Sequence, residues 1–494
     1  MTLVLPIIVP LFTAAVLLLS PARPLLQRWI AFAGSLGLLA CALVLFAAVQ
    51  RDGYVVAQMG NWPAPFGITL VADVFSSILV VTVGIVGVAV CAVSFAGVDP
   101  RREAYGYHPL IQVLLMGVTG AFLTGDLFNL YVWFEVMLVA SFVLMALHRT
   151  HAQVAAAFQY VTINLLASSV LLTALGLLYG DAGTLNMADL AAIWPARNTP
   201  ALDLVLAMLF LTAFGIKAAL FPLFFWLPAS YPLPPAPIGA LFAGLLTKVG
   251  VYALIRVFSL LFQHGAPVVL SILLWFSVAT MVVGLVGALS QRDFRRVLSF
   301  NLVGHIGYTT IGLSIGTPLA LAGSILYVVH HILVITNLFF VSGLLLQLRR
   351  TTELSSLGSL YRDHPGTALI AMIPLFSLAG LPPLSGFIGK LAIIQGAFGA
   401  GAYWVGAVVL LVGLLTLLSM ARLFDEAFWK PAPKPAVSPK PSLPIVAPVA
   451  ALSLLILAIT FTAEPLFQLT HRAAEQLLHP AGYVHAVLGE SAGR

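Results

Sequence analysis

What most constrains this chain is that apolar stretches of about twenty residues follow one another, with short interruptions, from residue 3 to residue 463. A helix of that length crosses the hydrocarbon core of a bilayer. Inside hydrocarbon the backbone must satisfy its own hydrogen bonds, which leaves helices or closed barrels. None of the stretches shows the ten-residue alternation of a barrel strand. Hydropathy divides the chain into fourteen segments, near 3–20, 29–50, 67–95, 108–125, 128–147, 156–180, 202–229, 236–262, 268–290, 299–315, 319–346, 367–396, 403–426 and 443–463. The expected fold is an all-α polytopic membrane protein with fourteen transmembrane helices. Only 8% of the residues are charged, too few to cover a soluble surface.

The basic residues sort this segmentation by side. Arg23, Arg28, Arg101, Arg102, Arg149, Arg292, Arg295, Arg296, Arg349, Arg350, Arg362, Arg422, Lys430, Lys434 and Lys440 fall on one side, fifteen of the 23 lysines and arginines. Arg51, Arg197, Arg256, Arg472 and Arg494 fall on the other. Lys and Arg accumulate in cytoplasmic loops, so both termini are expected outside, in the periplasm of an inner-membrane protein. The net charge of +6 therefore marks a membrane side and gives no reason to expect nucleic acid. MTLVLPIIVP lacks a basic flank and reads as a retained first helix. Cys41 and Cys91 sit in apolar stretches and read as small hydrophobes. Residues 427–442 form a proline- and lysine-rich cytoplasmic linker. In the tail from Glu464, Leu466, Leu469, Ala473 and Leu477 share a face suited to the membrane interface or another subunit.

Ionisable groups inside such segments carry the chemistry, because a central Lys or Asp costs about 2.5–3.5 kcal/mol to insert. Glu135, Lys217, Lys248, His305, His330, His331 and Lys390 lie within apolar stretches, and Asp73 falls early in the third. Desolvation pushes buried lysine and glutamate toward neutrality, and histidine titrates nearest pH 7, so these residue types together suit proton movement. Lysines near helix ends can instead snorkel to the interface, an option poorly suited to Lys248, halfway along its segment. Of the adjacent His330 and His331, one at most is expected to face the interior, since helical neighbours point about 100° apart. No phosphate-binding loop, dinucleotide fingerprint, CxxC or HExxH is present, and no cofactor or metal is expected.

Prolines break two of the helices. Pro222, Pro228, Pro232, Pro234 and Pro235 follow Lys217; Pro374, Gly380, Pro382, Pro383 and Gly386 precede Lys390. The breaks recur five segments apart, which predicts two inverted five-helix repeats, segments 4–8 and 9–13, with segments 7 and 12 broken. The chain then divides into an N-terminal three-helix portion (1–107), a first repeat (108–262), a second (268–426), the linker (427–442), and a last helix with its tail (443–494).

GDLFNLYVWFEVMLVASFVLM, LTAFGIKAALFPLFFWLP with ASYPLPPAP after it, GALFAGLLTKVGVYALIRV and PPLSGFIGK together resemble the antiporter-like membrane subunits. That superfamily includes Mrp-type multisubunit cation/proton antiporters and the large proton-pumping subunits of respiratory complex I. The resemblance spans essentially the whole chain, and the Glu135 stretch and ARLFDEAFWK are most similar to the D-type subunits of Mrp antiporters. It implies that Glu135 and Lys217 form the switching pair, Lys248 the central lysine and Lys390 the terminal one. The M-type subunits of complex I carry glutamate at that last position, where this chain has lysine; the N-type subunits share the lysine. The histidines match more variable positions. The resemblance further implies a proton-translocating subunit, not an enzyme, of an assembly exchanging Na⁺ or K⁺ for H⁺. Its partners would be A-, B-, C-, E-, F- and G-type subunits and membrane lipid. A pumping subunit of a quinone oxidoreductase or membrane-bound hydrogenase is the alternative.

Overall fold

The computed structural model describes residues 2–21, 23–99, 103–147, 150–197, 199–262, 267–433 and 439–489. Arg101, Arg102, Arg149, Lys434 and Arg494, used above to sort the loops, lie outside the described residues, as does 434–438 of the linker.

Short polar caps start several of the apolar helices. After α1 (Leu5–Leu19) and α2 (Pro24–Asp52), Asp73 opens α3 (Val74–Gly97), accepting from Ser76 N at 2.8 Å while Ser76 Oγ accepts from Asp73 N at 2.9 Å. α4 (Tyr107–Leu123) follows. Asp126 and Thr150 cap α5 (Leu127–Ala146) and α6 (His151–Ala182), each holding an N–H of the first turn. The remaining long helices are α7 (Pro200–Ala218), α8 (Ala236–Phe262), α9 (Pro267–Ser290), α10 (Phe294–Ile315) and α11 (Pro318–Arg349). Then come α12 (Pro365–Ala379), α13 (Ser385–Gly399), α14 (Tyr403–Trp429) and α15 (Leu443–Phe461), followed by the tail helices α16 (Ala463–Leu478) and α17 (Ala481–Leu488).

Among the described residues ten helices are long and apolar enough to cross a membrane, and α1, α4 and α12 are shorter apolar helices. The chain is a mostly helical polytopic membrane protein. The segment read from 67 to 95 is not helical throughout: Thr69–Ala72 is a strand, paired antiparallel with Val55–Gln58.

Polarity decides which helices sit inside. α8 and α11 are buried almost throughout, whereas α2 and α15 turn most of their leucines, valines and alanines outward. The two central helices carry Lys248 and the paired histidines. Glycines allow the closest crossings. A Cβ at Gly284 would collide with the Gly304 backbone, where α9 meets α10, and one at Gly250 would lie 2.6 Å from Ala218 N. The second contact seats α8 against the broken end of α7.

Both expected breaks are present. α7 stops at Ala219 (φ 62°), and the chain runs unwound past Pro222 to a short helix at Trp226–Ser230. α12 stops at Gly380 (φ 82°), and Pro382 and Pro383 keep it from resuming before Ser385. α8 is continuous but widens at Phe242–Leu246, where the backbone takes i→i+5 spacing.

The tail packs in part on its own chain. The inner face of α16, with Thr470, Ala473, Ala474, Leu477 and Leu478, packs on α11 and α3 of the same chain. Ala473 and Leu477 of the apolar stripe are therefore covered by the chain itself, while Leu466 and Leu469 are half-buried, and Gln476 Oε1 accepts from Val74 N at 3.1 Å beside the start of α3.

Several arginines read as loop residues belong to helices. Arg28, Arg295, Arg296, Arg349 and Arg422 lie in or near terminal turns, but Arg256 is a buried residue of α8. Its guanidinium meets Asp73 at 2.6 Å, which explains how a charge enters an otherwise apolar helix.

Candidate functional site

Asp73 apart, the ionisable residues singled out above lie on α5, α7, α8, α10, α11 and α13, and α6 adds hydrogen-bonding partners. Glu135, half-buried on α5, accepts a hydrogen bond from Ser168 on α6. Lys217, near the end of α7, donates to Ser168 Oγ at 3.0 Å and to Asn164 O at 3.3 Å. Glu135 and Lys217, the pair that the resemblance implies, are thus linked through a hydroxyl. The ammonium also stands 5.2 Å from the Phe134 ring centroid. A cavity of about 20 Å³ adjoins it, lined by Tyr160, Asn164, Lys217, Trp226 and Tyr231 among others. That is room for about one water, and the Tyr231 hydroxyl has no partner among the described residues.

Lys248 is fully buried on α8. Among the described residues no carboxylate lies within 4 Å of it, and its Nζ donates to Ala243 O at 2.7 Å. The wide turn at 242–246 is what frees that carbonyl, so the break in helical spacing and the lysine belong together.

His305 of α10 shares a short hydrogen bond with the Tyr327 hydroxyl, and its ring stacks on that of His331 at 5.2 Å and 12°. Its neighbour His330 turns toward the second break, where Nδ1 meets Ser385 Oγ at 2.9 Å and Ser385 Oγ meets Ser377 Oγ at 2.9 Å. Both adjacent histidines therefore face the interior, against the expectation of one. The 100° between them would expose one on a peripheral helix, but α11 is enclosed by neighbours on every side. Among the described residues, His305 Nε2, His330 Nε2 and both nitrogens of His331 find no hydrogen-bond partner.

Lys390 on α13 reaches back across the break. Its Nζ donates to Leu378 O at 3.1 Å and Ala379 O at 2.8 Å, carbonyls left free where α12 stops. The ammonium sits 5.0 Å from the Tyr308 ring centroid. A Cβ at Gly380 would lie 3.1 Å from Nζ, so the bare glycine at the break also makes room for the lysine.

Asp73 lies apart from this line. It caps α3 and pairs with Arg256, whose Nε donates to Tyr252 Oη at 3.2 Å; Tyr252 Oη in turn donates to Phe122 O at 2.9 Å. The rings of Tyr252, Phe75 and Tyr483 surround the guanidinium. Lys248, Tyr252 and Arg256 recur at four-residue spacing, hence on one face of α8. That spacing was a visible signal for Tyr252 and Arg256. Ser168, Asn164, Ser377, Ser385, Tyr308 and Tyr327 had no such signal.

Among the described residues no group of three or more His, Cys, Asp or Glu is placed to hold a metal ion. The arrangement instead offers basic and neutral groups that hand hydrogen bonds between helices. Such a line can take up, relay and release protons.

Comparison with known proteins supplies the family context. Residues 124–416 match the transmembrane family of NADH:quinone oxidoreductases and Mrp antiporters. The D-type subunit of a Na⁺/H⁺ antiporter from Alkalihalophilus pseudofirmus is 44% identical over 493 residues, 99% of each chain. Among solved structures, a chain of the Mrp complex from Dietzia superposes with a TM-score of 0.90 at 33% identity, covering 99% of both chains. A chain of an archaeal membrane-bound sulfane sulfur reductase superposes with a TM-score of 0.89 at 26% identity, again over 99% of both.

Proposed function

This chain belongs to the NADH:quinone oxidoreductase/Mrp antiporter transmembrane family, and from that membership we propose that it is the D-type, proton-translocating subunit of a multisubunit Na⁺/H⁺ antiporter. Its partners are the other subunits of such an assembly. It serves as a secondary transporter subunit, not an enzyme, and sits in a bacterial inner membrane. The arginine-rich side faces the cytoplasm and both termini lie outside, the orientation that the loop charges favour. The chain crosses fourteen times, with segments 4–8 and 9–13 as inverted repeats; the two broken helices, each with a lysine at its break, support that reading.

The single observation that carries the transport reading is the run of buried Lys and His groups without carboxylates, from Lys248 through His331 and His305 to Lys390. Charges of one sign, enclosed together, oppose one another's protonation, so a proton gained at one site favours loss at the next. Glu135 sets the near end. While its carboxylate holds Ser168, the hydroxyl oxygen holds the Lys217 ammonium. Protonation of Glu135 loosens that hold and lets the Lys217 charge act on Lys248. Tyr327 and the Ser385–Ser377 pair extend the relay, and water bonded to the free imidazole nitrogens and the Tyr231 hydroxyl completes it.

The test is antiport by the purified assembly in liposomes with an imposed pH gradient, Na⁺ and K⁺ supplied separately. Cation-dependent collapse of the gradient supports the reading; a gradient indifferent to both cations rejects it. The rival, a pumping subunit of a respiratory reductase, draws on the likeness to the archaeal reductase chain, but the higher identity lies with the antiporter chain. Co-purifying flavin and iron–sulfur subunits would decide for the rival.

A further inference from the structure

Away from the proton line, a cavity of about 560 Å³ opens on the arginine-rich side, between the start of α10 and the end of α11. Gln153, Arg295, Gln347 and Arg350 line it, with no Asp or Glu among the lining residues. Val93, Ala96 and Ile445 form an apolar wall, from α3 and α15.

Arg295 is the unusual member. It is buried, with 8% of its surface exposed. Its Nε donates to Ser342 Oγ at 3.0 Å and its Nη1 to Pro234 O at 3.2 Å, while Nη2 has no partner among the described residues. Arg28, Arg197, Arg256 and Arg349 each meet a carboxylate, Glu103, Asp203, Asp73 and Asp363 respectively. Among the described residues no carboxylate lies within 4 Å of Arg295. A guanidinium does not shed its proton in a protein, so its buried charge calls for an anion from elsewhere. Arg350, exposed at the rim of the same cavity, adds a second charge.

We propose that this cavity binds an anionic phospholipid. The phosphate sits between Arg295 and Arg350, and the first acyl carbons lie along Val93, Ala96 and Ile445. Arginine matches phosphate oxygens with paired N–H groups. Basic pockets between membrane helices on the cytoplasmic side suit such headgroups. Gln153 Oε1, also without a partner among the described residues, is an acceptor for a headgroup hydroxyl such as those of phosphatidylglycerol. Free phosphate would offer the same oxygens, but it would leave the apolar wall unused.

The experiment compares thermal midpoints of the intact antiporter assembly in three kinds of nanodisc. These are phosphatidylcholine alone, phosphatidylcholine mixed with phosphatidylglycerol, and phosphatidylcholine alone in inorganic phosphate buffer. Phosphatidylglycerol is expected to raise the midpoint and phosphate to leave it unchanged. Arg350→Gln, at an exposed position, is expected to raise the phosphatidylglycerol fraction for half-maximal effect about fivefold. Ala96→Trp, which fills the apolar end, is expected to remove the effect. Equal midpoints in the two lipid compositions, an undiminished response in both variants, or the same rise from phosphate alone would each overturn the proposal. The readout is lipid-dependent stability, so its failure leaves the antiport reading standing.

Discussion

At the scale of single residues, Ser168 makes the sharpest statement. Its hydroxyl bridges Glu135 and Lys217, so the coupling between those two groups should depend on one side chain. A hydrogen bond to a charged group is worth about 1.5–3 kcal/mol, or roughly tenfold or more in rate if it is used in turnover. Ser168→Ala is expected to slow Na⁺-driven proton exchange in inverted vesicles by about tenfold, and Ser168→Thr to restore most of it. Unchanged exchange in the alanine variant would detach Ser168 from the mechanism. Lys217, Lys248 and Lys390 were legible in the sequence because charge in an apolar stretch is rare. Ser168, Ser377 and Ser385 were not, since hydroxyls in these helices commonly return their proton to their own backbone, as Thr82, Ser94 and Thr212 do. Outside the membrane, Glu103 offers a pH handle. Burial alone would raise its carboxyl, but the His108 imidazole 3.5 Å away and the hydrogen-bonded Arg28 guanidinium hold it below the usual carboxylate range. A lowered native value stabilises above the unfolded pKa and is lost as pH falls through the native one. Glu103→Gln should therefore lower the thermal midpoint of the assembly near pH 7 and converge with wild type in acid; parallel curves at all pH values would contradict this.

At the scale of elements, the two broken helices were legible because proline leaves no alternative, and each break was found with a lysine beside it. What the sequence did not reveal is which helices meet. Both histidines of α11 could face inward only because that helix is enclosed, a fact no local spacing encodes. Arg256 was misplaced for a related reason: its partner Asp73 is 183 positions away in the chain, across α3 and α8. This pair ties α3 to α8 beneath the tail helices. Removing one member of a buried ion pair costs about 3–5 kcal/mol, while exchanging both for apolar groups can be neutral. Asp73→Asn is thus expected to reduce the amount of assembled complex recovered and its thermal midpoint, and Asp73→Leu with Arg256→Met to recover much of the loss. A double variant as weak as the single one would show that the pair does more than offset its own burial.

At the scale of the whole molecule, Lys248 and the paired histidines lie where the burial is deepest, on α8 and α11, while peripheral helices such as α2 and α15 turn apolar side chains outward. The helical membrane architecture could be read from hydropathy alone because the bilayer permits so few alternatives. The folding of the tail onto α3 and α11 could not, since its apolar stripe would suit lipid or a partner equally well. The most direct measurement is Na⁺-dependent proton exchange by the assembled complex carrying Lys248→Ala. Among the described residues Lys248 has no ion-pair partner to strand, so the variant should assemble and melt like wild type. Exchange in inverted vesicles should nevertheless fall to background. Wild-type exchange from a fully assembled Lys248→Ala complex would contradict a proton path through the centre of this subunit.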